Sequence, residues 1–471
     1  MSIRDFPPEL LELIFLECHN EIDFRSMLPL DTPLLLTRTC KRWDKIARGF
    51  PPLWSKLRVV ASHAESEPPV RVVEKWMEHS GSHPLSLSLV CQRPDTTSRA
   101  LEKQTIDDGQ EGPTGVSRVL ELFLLNIYRW RDILFDFSQH APPRHYPPSL
   151  TEQGAPQLER FEIYPFSWSR LLGSLTVPWL DGVLSAPVLT SFVSHHGQFP
   201  SSFLLHVPWE QLTYVHLESG LSDFACLFIL QSACNLIECH LLNIRSVALD
   251  VTPASDAELS PVLPRLKKLG LASQVWFGKI FNPLITPNLT KLELGTRSMQ
   301  MRWTRPQFMD FLRRSGCSIE SLTLRDMFVS RLGETGLIEL LMHLSDSLTD
   351  LRITSDHPGT PVGIRDSMLH ALSYRPESPV LCSQLESLVL QVGAFATDGE
   401  LGKMVQSRWK GHLQAPARIA RLQHIDVVFS TDTHATDLLV LNELLEQGLD
   451  GKVRMPDNLE DQQVGNLRGI L

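Results

Sequence analysis

The segment LTKLEL at residues 289–294 is one copy of a pattern, L-x-x-L-x-L, that decides the fold of this chain. Apolar side chains fill its first, fourth and sixth positions, so its second half alternates as a strand with one buried face does. The pattern returns at intervals of 23 to 37 residues. Its copies begin at Leu158, Leu189, Leu212, Leu236, Leu266, Leu289, Ile319, Leu348, Leu385 and Leu422. One unit of this length cannot cover its own apolar strand face, so the repetition predicts a stack of similar units.

Amphipathic stretches lie between several copies of the pattern, and each predicts a helix. They span residues 307–314, 337–344, 366–373, 401–409 and 436–446. A strand followed by a helix in every unit requires neighbouring strands to run parallel. From about residue 85 to residue 428 we therefore expect an α/β fold, an irregular leucine-rich-repeat solenoid. Its parallel strands should line a concave face and its helices a convex face.

The alternation within each strand also predicts which side chains point away from the core and form a recognition surface. They are Arg160, Glu162, Tyr214, His216, Glu238, His240, Lys268, Lys291, Glu293, Thr323, Arg325, Asp350, Arg352, His424 and Asp426. Both signs of charge occur among them. We single out His216, His240, Glu293, Arg325 and Arg352 as candidate target-binding residues. For each of these positions the alternative is an ordinary solvated strand residue.

Residues 1–60 follow a helical pattern instead. Pro7-Pro8 introduces a helix over about residues 9–18, whose apolar side chains fall on two stripes. One stripe consists of Leu11, Ile14, Phe15 and Cys18, and the other of Leu10, Leu13 and Leu16. A second helix is expected over about residues 34–50, where Gly49 and Pro51-Pro52 end it. Its apolar side carries Leu36, Cys40, Trp43, Ala47 and Phe50.

A module of this size can bury one of the two stripes of its first helix, but not both. The remaining stripe either packs on the rest of the chain or forms a docking surface for a partner. The helical pattern by itself leaves both alternatives open.

A proline pair, a helix of LLELIF type, a C-x-x-W in the next helix and a closing PPLW together resemble the F-box. The resemblance is to the form found in F-box-like proteins of mushroom-forming fungi, and it covers residues 6–57. It implies that the module docks on a Skp-type adaptor, and through it on a cullin, in an SCF-type ubiquitin ligase. The residues at its docking positions are Phe6, Pro7, Pro8, Leu11, Ile14, Phe15 and Trp43.

The repeat half is similar to the leucine-rich repeats of F-box proteins, in which the array holds the substrate. The resemblance therefore implies a substrate-recognition subunit that binds an unidentified target protein. One alternative is an F-box-bearing scaffold that binds the adaptor but delivers nothing for ubiquitination.

A second alternative is a hydrolytic enzyme whose site is assembled from distant residues, and a convergent pocket of titratable groups would favour it. The sequence contains no G-x-x-x-x-G-K-[ST], G-x-G-x-x-G, G-x-S-x-G or H-E-x-x-H. These motifs mark phosphate-binding loops, dinucleotide turns, nucleophile elbows and zincin helices. We therefore expect a protein that is not an enzyme and that uses no cofactor.

Cys226, Cys234, Cys239 and His240 lie close together in the sequence and form a candidate metal cluster. They lack a C-x-x-C pair, and Cys226 and Cys234 lie in or beside apolar helical sequence, which favours buried structural thiols. His195-His196 is interpreted as a pair on a surface loop rather than as a ligand set. The sequence therefore predicts no metal site.

The patterns divide the chain into four parts. Residues 1–60 form the F-box-like module, and residues 61–150 form linking helix–strand units that begin the array. Residues 151–449 hold the irregular repeats, and residues 450–471 form a C-terminal tail. A polar stretch at 92–118 and a proline-rich connector at 140–156 are expected to be loops.

The composition, with 42% hydrophobic and 21% charged residues, is that of a globular protein. A net charge of -10 argues against binding to nucleic acid, which requires clustered Lys and Arg. No apolar run is long enough to span a membrane, so we expect no membrane association. The eight cysteines show no paired spacing, which indicates a reducing compartment, either cytoplasm or nucleus.

Overall fold

The structure, a computed structural model, describes nineteen stretches of the chain in two units, Met1–Gly220 and Leu221–Leu471. The described residues are 3, 6–20, 32–62, 70–92, 115–138, 154–164, 178–197, 206–245, 259–274, 277–296, 298, 303, 305–326, 328–355, 364–377, 379–394, 396–414, 419–429 and 433–454.

The first unit contains three N-terminal helices followed by alternating strands and helices. Its helices are α1 (Pro8–Asn20), α2 (Thr32–Thr39), α3 (Lys41–Arg48), α4 (Val70–His79), α5 (Gly115–Leu124) and α6 (Pro178–Leu184). Its strands are β1 (Lys56–Ser62), β2 (Leu85–Gln92), β3 (Trp130–Asp136), β4 (Arg160–Tyr164), β5 (Ser191–Gly197) and β6 (Tyr214–Ser219). Short 3-10 helices occupy Pro51–Trp54, Ile127–Arg129 and Trp209–Gln211. Each strand pairs in parallel with the next one along the chain.

The second unit repeats the same order of strand and helix. Its helices are α7 (Asp223–Ser232), α8 (Gly278–Phe281), α9 (Arg305–Ser315), α10 (Phe328–Leu344), α11 (Asp366–Leu372), α12 (Glu400–Gln414) and α13 (Ala435–Glu446). Its strands are β7 (Glu238–Ile244), β8 (Lys268–Ser273), β9 (Lys291–Thr296), β10 (Ser321–Asp326), β11 (Asp350–Thr354), β12 (Ser387–Ala394), β13 (His424–Phe429) and β14 (Asp450–Arg454). These strands also pair in parallel, in chain order.

Each of the ten copies of the L-x-x-L-x-L pattern leads into a strand. That strand begins at the third position of its copy. Within β9 and β10, Leu292 lies opposite Leu322 and Leu294 opposite Leu324. The predicted α/β fold with parallel strands is therefore confirmed in each unit.

Buried rows of side chains explain why the units stack. In the second unit Leu292, Leu294, Leu322 and Leu324 are buried, and each contributes about 1.5 to 3 kcal/mol when fully covered. In the first unit part of the buried face is aromatic: the Phe161 ring lies between those of Phe135 and Phe192, with both ring-centroid distances at 6.2 Å. Phenylalanine thus occupies some of the buried strand positions of the first unit, with Ile133 and Ile163 as the strand partners of Phe161 and Phe135.

In the copies that have threonine in the second position, its hydroxyl ties the strand to the one before it. Thr213 Oγ1 donates to the carbonyl oxygen of Thr190 over 3.2 Å, and Thr190 Oγ1 donates to that of Glu159 over 3.2 Å. Thr349 Oγ1 donates to Glu320 in the same way over 3.0 Å. These hydroxyls satisfy carbonyl groups where the chain enters the sheet.

Two buried arginines hold carbonyl groups at turns. Arg129 donates to His83 and Ser80 in the first unit. Arg408, which is completely buried in the second unit, donates to the carbonyl oxygens of Leu372 and Cys382 over 2.7 and 3.0 Å. Burial lowers the pKa of Arg408 to about 10. Each guanidinium thus replaces the hydration of backbone groups that the fold removes from water.

Several predicted boundaries differ from the structure; the helix predicted over 401–409, for example, extends to Gln414 in α12. The helix predicted over 34–50 is divided into α2 and α3 at Cys40, whose extended backbone lets Sγ accept a hydrogen bond from Trp43 N over 3.5 Å. Helix α10 begins at Phe328 rather than 337, because Gly333, with φ 67°, allows a turn inside it. Residues 115–118 of the predicted polar loop form the first turn of α5.

Strands β1 and β14 were not anticipated by the repeat pattern. β1 crosses the predicted boundary at residue 60, and β14 lies in the predicted tail. Neither contains L-x-x-L-x-L, and β14 carries one large apolar side chain, Val453. The rest of the polar stretch, residues 93–114, and residues 140–153 of the connector lie outside the described residues.

No helix in the described part of the chain combines the length and the apolar content that crossing a membrane requires.

Candidate functional site

One side of α1 is buried within the N-terminal module. Leu11 and Phe15 are covered, and the Phe15 ring packs edge-on against Trp43 at a centroid distance of 5.0 Å. Leu36 and Ala47 are buried on α2 and α3. The first predicted stripe of α1 therefore supplies the internal contacts of the module.

The module is fixed to the first strand–helix unit by Trp54. Its Nε1 donates to the carbonyl oxygen of Ala47 over 2.7 Å, and its ring packs edge-on against Trp76 of α4 at 5.0 Å. Arg42 donates to the carbonyl oxygen of Phe6, which ties α3 to the residues before α1. These contacts make α1 to α3 and the start of the first sheet one packed body.

The second stripe of α1 faces outward. Leu10 and Leu13 are 47% and 58% exposed and lie three residues apart, on one side of the helix. Leu35 of α2 is 47% exposed, and Leu16 is half-buried. The apolar surface of the module is therefore centred on Leu10 and Leu13.

The seven predicted adaptor-binding residues occupy three kinds of environment. Pro7 and Pro8 are exposed, whereas Phe6, Ile14 and Trp43 are half-buried. As described above, Leu11 and Phe15 are buried against the module itself. Adaptor binding by these residues stays a prediction.

The five candidate target-binding residues lie on the face of each sheet opposite the buried rows, which we call the polar face. His216 belongs to the first unit, and the other four belong to the second. Arg352 is half exposed, and its Nε donates to Asp350 of the same strand over 2.8 Å. The predicted position of each residue on its strand is confirmed, but the expected exposure of His240 is wrong because neighbouring strands cover it.

Five residues of the second unit form what we call the His240 cluster: Glu238, His240, Lys268, Glu293 and Arg325. His240 Nε2 lies 2.7 Å from Glu238 Oε1, and its Nδ1 lies 3.8 Å from Glu293 Oε2. Lys268 pairs with Glu238 over 2.7 Å, and Arg325 pairs with Glu293 over 2.8 Å. Two permanent cations therefore neutralise the two carboxylates.

Gly270 creates the space that His240 fills. A Cβ atom at this position would lie 2.3 Å from His240 Nδ1, well inside van der Waals contact. The Nδ1 edge of the imidazole therefore occupies the space beside Gly270 of β8, and a side chain at residue 270 would displace the ring.

A shallow depression of about 240 Å³ lies beside this cluster on the polar face. Its polar lining consists of Lys268, Lys291, Glu293, Ser321, Thr323, Asp350 and Arg352. Its lining carries both positive and negative groups, so it offers contacts to either sign of charge.

Five residues of the first unit form what we call the His195 cluster: Glu162, Tyr164, His195, His216 and Glu218. His195 Nε2 lies 3.1 Å from Glu162 Oε1, and its Nδ1 lies 3.5 Å from Glu218 Oε2. His216 Nε2 lies 3.1 Å from Glu218 Oε1. The Tyr164 ring stacks on His195 with centroids 3.9 Å apart.

The carboxylates of the His195 cluster control its protonation. Burial lowers the pKa of His195, but hydrogen bonds to Glu162 and Glu218 outweigh burial and raise this pKa to about 9. Burial likewise raises the pKa of Glu162, but its hydrogen bond with His195 outweighs this and leaves the pKa below its ordinary value. Burial raises the pKa of Tyr164. The cluster therefore favours a cation between its two glutamates.

Sequence reasoning missed this cluster. His195 was interpreted as part of a surface loop, but it lies on β5 and is half-buried. The copy LTSFVS ends at Ser194, one residue before it. Ser191, Val193 and His195 are alternate residues of one strand, so they lie on the same face. Extending the predicted strand by one residue would therefore have placed His195 on the polar face.

The titratable groups of the cluster converge as an enzyme site can, but the neighbouring strand hydroxyls do not join them. Ser194 and Ser219 have buried side chains on the opposite face of the sheet. The arrangement of imidazoles and carboxylates is therefore suited to holding a cation rather than to activating one of these serines.

The residues weighed as a cysteine–histidine metal cluster do not assemble around one point. Cys239 lies in the buried row of β7, whereas the adjacent His240 lies on the polar face. Burial raises the pKa of Cys239 to about 12, as for an inert core thiol. Cys226 is buried, and Cys234, expected to be buried, is exposed.

Asp398, His434 and Asp437 form another polar cluster in the second unit. Asp398 accepts hydrogen bonds from the backbone nitrogens of Thr436 and Asp437 at the start of α13. Asp437 accepts from Gly402 N over 2.7 Å, and the His434 ring stacks on Phe429. The cluster therefore serves to cap the N-terminus of α13, where Asp398 accepts hydrogen bonds from two backbone N–H groups.

No protein-family model matches the sequence, and no curated protein matches it. Among solved structures, a chain from a structure of the Toll–Spatzle complex of Drosophila is similar to this chain, with a TM-score of 0.30 and 11% sequence identity. The match covers 82% of this chain and 48% of that chain, so this chain spans about half the length of its structural neighbour.

Proposed function

We propose that the chain is a non-catalytic substrate receptor of an SCF-type ubiquitin ligase. Helices α1 to α3 dock on a Skp-type adaptor, and through it on a cullin, while the polar face of the leucine-rich-repeat-like strands holds a target protein. The observation that carries the proposal is the division of α1 into two sides. One side packs inside the chain, and the other exposes Leu10 and Leu13.

Neighbouring leucines exposed on a packed helix favour a protein partner. The buried contacts of Leu11 and Phe15 hold α1 rigidly, so the exposed side is presented in one orientation. A partner that binds a preformed surface loses little conformational entropy on binding. The F-box resemblance of residues 6–57 identifies the partner that we propose.

The polar face supports the other half of the proposal. Its exposed side chains carry both signs of charge, and Lys291 and Arg352 line the depression beside the His240 cluster. A surface that carries both signs of charge discriminates between partners by complementarity. We therefore place target binding on this face.

The proposal is tested by replacing the exposed leucines, Leu10→Ser together with Leu13→Ser, and measuring co-precipitation of the Skp-type adaptor. Each leucine should contribute about 2 kcal/mol when covered, so the pair should weaken adaptor binding about a thousandfold. Leu439→Ser is the matched control, because Leu439 is 70% exposed on α13 and lies outside the module. It should leave adaptor binding unchanged.

Phe15 is unsuitable for this test because its ring is buried against Trp43. Replacing it with Ala would cost about 3 to 5 kcal/mol of folding stability and would not separate docking from folding. Circular dichroism of the Leu10 and Leu13 variant establishes that the fold is retained. Wild-type adaptor recovery by a folded double variant would remove α1 as the docking element.

Proteasome inhibition distinguishes a receptor from a scaffold. If the chain delivers its target for ubiquitination, the abundance of a co-purified partner should rise when the proteasome is inhibited in wild-type cells. In cells that carry the Leu10 and Leu13 variant, proteasome inhibition should leave the abundance of this partner unchanged. Adaptor binding with no change in any partner's abundance would support the scaffold instead.

A further inference from the structure

We infer that the His195 cluster is a binding site for a divalent transition-metal ion of the zinc class. His195, His216 and Glu218 would supply the ligands, and Glu162 would orient His195. This inference is independent of the proposed ligase function, because it rests on the geometry of three neighbouring strands.

The three ligand groups already converge on one point. One atom from each of His195, His216 and Glu218 lies within 4.8 Å of the other two. His195 Nδ1 and His216 Nε2 approach the two oxygens of the same carboxylate, over 3.5 and 3.1 Å. Zinc binds imidazole nitrogen and carboxylate oxygen at about 2.0 to 2.2 Å, which small side-chain rotations would achieve here.

The surroundings of His195 match those of a metal-bound histidine. Glu162 contacts Nε2 over 3.1 Å, which directs Nδ1 toward Glu218. A carboxylate on the second ring nitrogen fixes the tautomer and the ring orientation of a metal ligand. Tyr164 stacks on the same ring and restricts its rotation. Both contacts prepare the imidazole before an ion arrives.

The donor set selects the class of ion. Two imidazoles and one carboxylate suit Zn²⁺ and its first-row neighbours, whereas Mg²⁺ and Ca²⁺ prefer oxygen ligands. Three protein ligands leave one tetrahedral position for water or for a donor from a bound molecule. The side chains of His195, His216 and Glu218 are 17% to 22% exposed, so an ion can enter from the polar face.

The His240 cluster provides an internal contrast. It also holds an imidazole between two glutamates, but Lys268 and Arg325 already bind those carboxylates. It contains a single imidazole among its five residues. We therefore assign the metal site to the first unit alone.

The test is a zinc titration of the full chain after removal of metal with a chelator. Equilibrium dialysis and elemental analysis should find one equivalent of Zn²⁺ bound at micromolar free zinc. The exposed thiols of Cys18, Cys40 and Cys234 are competing ligands. Co²⁺ separates the two possibilities, because a cysteine site produces a thiolate-to-metal absorption band and the His195 cluster does not.

Four variants locate the ion. His216→Asn and Glu218→Gln should each lower zinc affinity about 100-fold or more, and Glu162→Gln should lower it about 10- to 100-fold while one equivalent still binds. His424→Asn is the matched control, since His424 also lies on a polar face and pairs with a carboxylate, Asp450. Its zinc affinity should equal that of the wild type.

Each remaining outcome counts against the site. Absence of bound zinc at micromolar concentration in the wild type would overturn the inference. Wild-type affinity in folded His216→Asn and Glu218→Gln variants would do the same. A thiolate absorption band as the only cobalt spectrum would place the ion on cysteines instead.

Discussion

The His195 and His240 clusters are built alike and differ in what neutralises their carboxylates. Each places one imidazole between two glutamates on the polar face of parallel strands. In the second unit Lys268 and Arg325 bind the two glutamates directly. In the first unit Glu218 contacts two imidazoles, those of His195 and His216, in place of a lysine or an arginine.

The comparison shows that the repeat pattern fixes where polar side chains lie but not what they can do. Strand alternation brings side chains of neighbouring strands into rows, so Lys268 reaches Glu238 and Arg325 reaches Glu293 from another repeat. A lysine or arginine in that row forms an ion pair that leaves no ligand for a metal ion. A histidine can release its proton and bind a metal ion instead. The five predictions below, ordered by expected effect, break or sharpen this contrast.

The largest change in stability should come from a side chain placed at Gly270, in the space that the His240 ring occupies. A Cβ on Gly270 would lie 2.3 Å from Nδ1 of that ring, which its bond to Glu238 holds in place. We expect Gly270→Ala to lower the free energy of unfolding by about 2 to 3 kcal/mol, because the ring must leave its position. Denaturant unfolding at neutral pH measures this difference.

Two further variants assign the cause of this loss. His240→Ala removes the ring, so Gly270→Ala should cost less than about 1 kcal/mol in that background. Gly295→Ala is the matched change on the next strand, where the Cβ would lie 3.3 Å from Arg325 Cβ. It should also cost less than about 1 kcal/mol. An equal cost of Gly270→Ala with and without the ring would show that the contact is not the reason.

The second effect is a dependence of stability on pH in the first unit. Burial lowers the pKa of His195, but its hydrogen bonds to Glu162 and Glu218 raise it to about 9 from an ordinary value of 6.5. Since this pKa is raised on folding, the stability it contributes is complete below about pH 6.5 and is lost as the pH rises through about 9. We expect the wild type to lose about 1 to 2 kcal/mol more than His195→Gln across that window.

The measurement is denaturant unfolding at several pH values with a chelator present, so that a proton is the only cation exchanged at the cluster. His424→Gln controls for a polar-face histidine outside the cluster. Its pH profile should follow that of the wild type. Parallel profiles for the wild type and His195→Gln would mean that the two glutamates do not hold a proton on this ring.

The third effect is the contribution of three packed phenylalanine rings to the stability of the first unit. Phe161 is buried between Phe135 and Phe192, so Phe161→Leu should cost about 1 to 1.5 kcal/mol through lost volume and ring contacts. Leu294→Met, at a buried position in the leucine row of the second unit, nearly conserves volume and should cost less than about 1 kcal/mol. Thermal unfolding measures both. Equal costs would show that neither the lost volume nor the lost ring contacts of Phe161 affect stability.

Much of this contrast could be derived from sequence, and some of it could not. The L-x-x-L-x-L copies placed ten strands correctly, because alternation and repeat length act within a few residues of the chain. The outward position of Glu293 or Arg325 followed from the same rule. Their pairing did not, since it depends on register between strands about thirty residues apart, which a single sequence leaves undetermined.

The features that sequence reasoning missed share a physical cause. The extended backbone at Cys40, the turn at Gly333 and the coverage of His240 above Gly270 each depend on a local conformation or on a neighbouring strand. Hydrophobic periodicity is insensitive to such features, because it records which side of an element is apolar. The buried side of α1 was undecided for the same reason: both of its stripes are apolar.

The fourth effect is the coupling between Glu293 and Arg325, which a double-mutant cycle isolates. Their 2.8 Å contact is largely shielded from water, so we expect a coupling free energy of about 1 kcal/mol with Gln at 293 and Met at 325. The comparison pair in the first unit, Glu162 and Arg160, lies within one strand, β4, with 3.3 Å between the charged atoms and the arginine 56% exposed. Its coupling should be below about 0.5 kcal/mol. Equal coupling in both pairs would remove the proposed difference between the units.

The smallest effect should be that of Arg352→Gln. The arginine is 50% exposed and binds Asp350, but that carboxylate also accepts a hydrogen bond from Ser321 Oγ over 2.8 Å. Asp350 therefore keeps a partner when Arg352 is lost, and we expect the free energy of unfolding to change by less than about 0.5 kcal/mol. Thermal unfolding measures this. A loss above about 1 kcal/mol would make Arg352 part of the structure. A change within the expected limit leaves it available to a target, so that altered partner binding by Arg352→Gln reports on the polar face and not on folding.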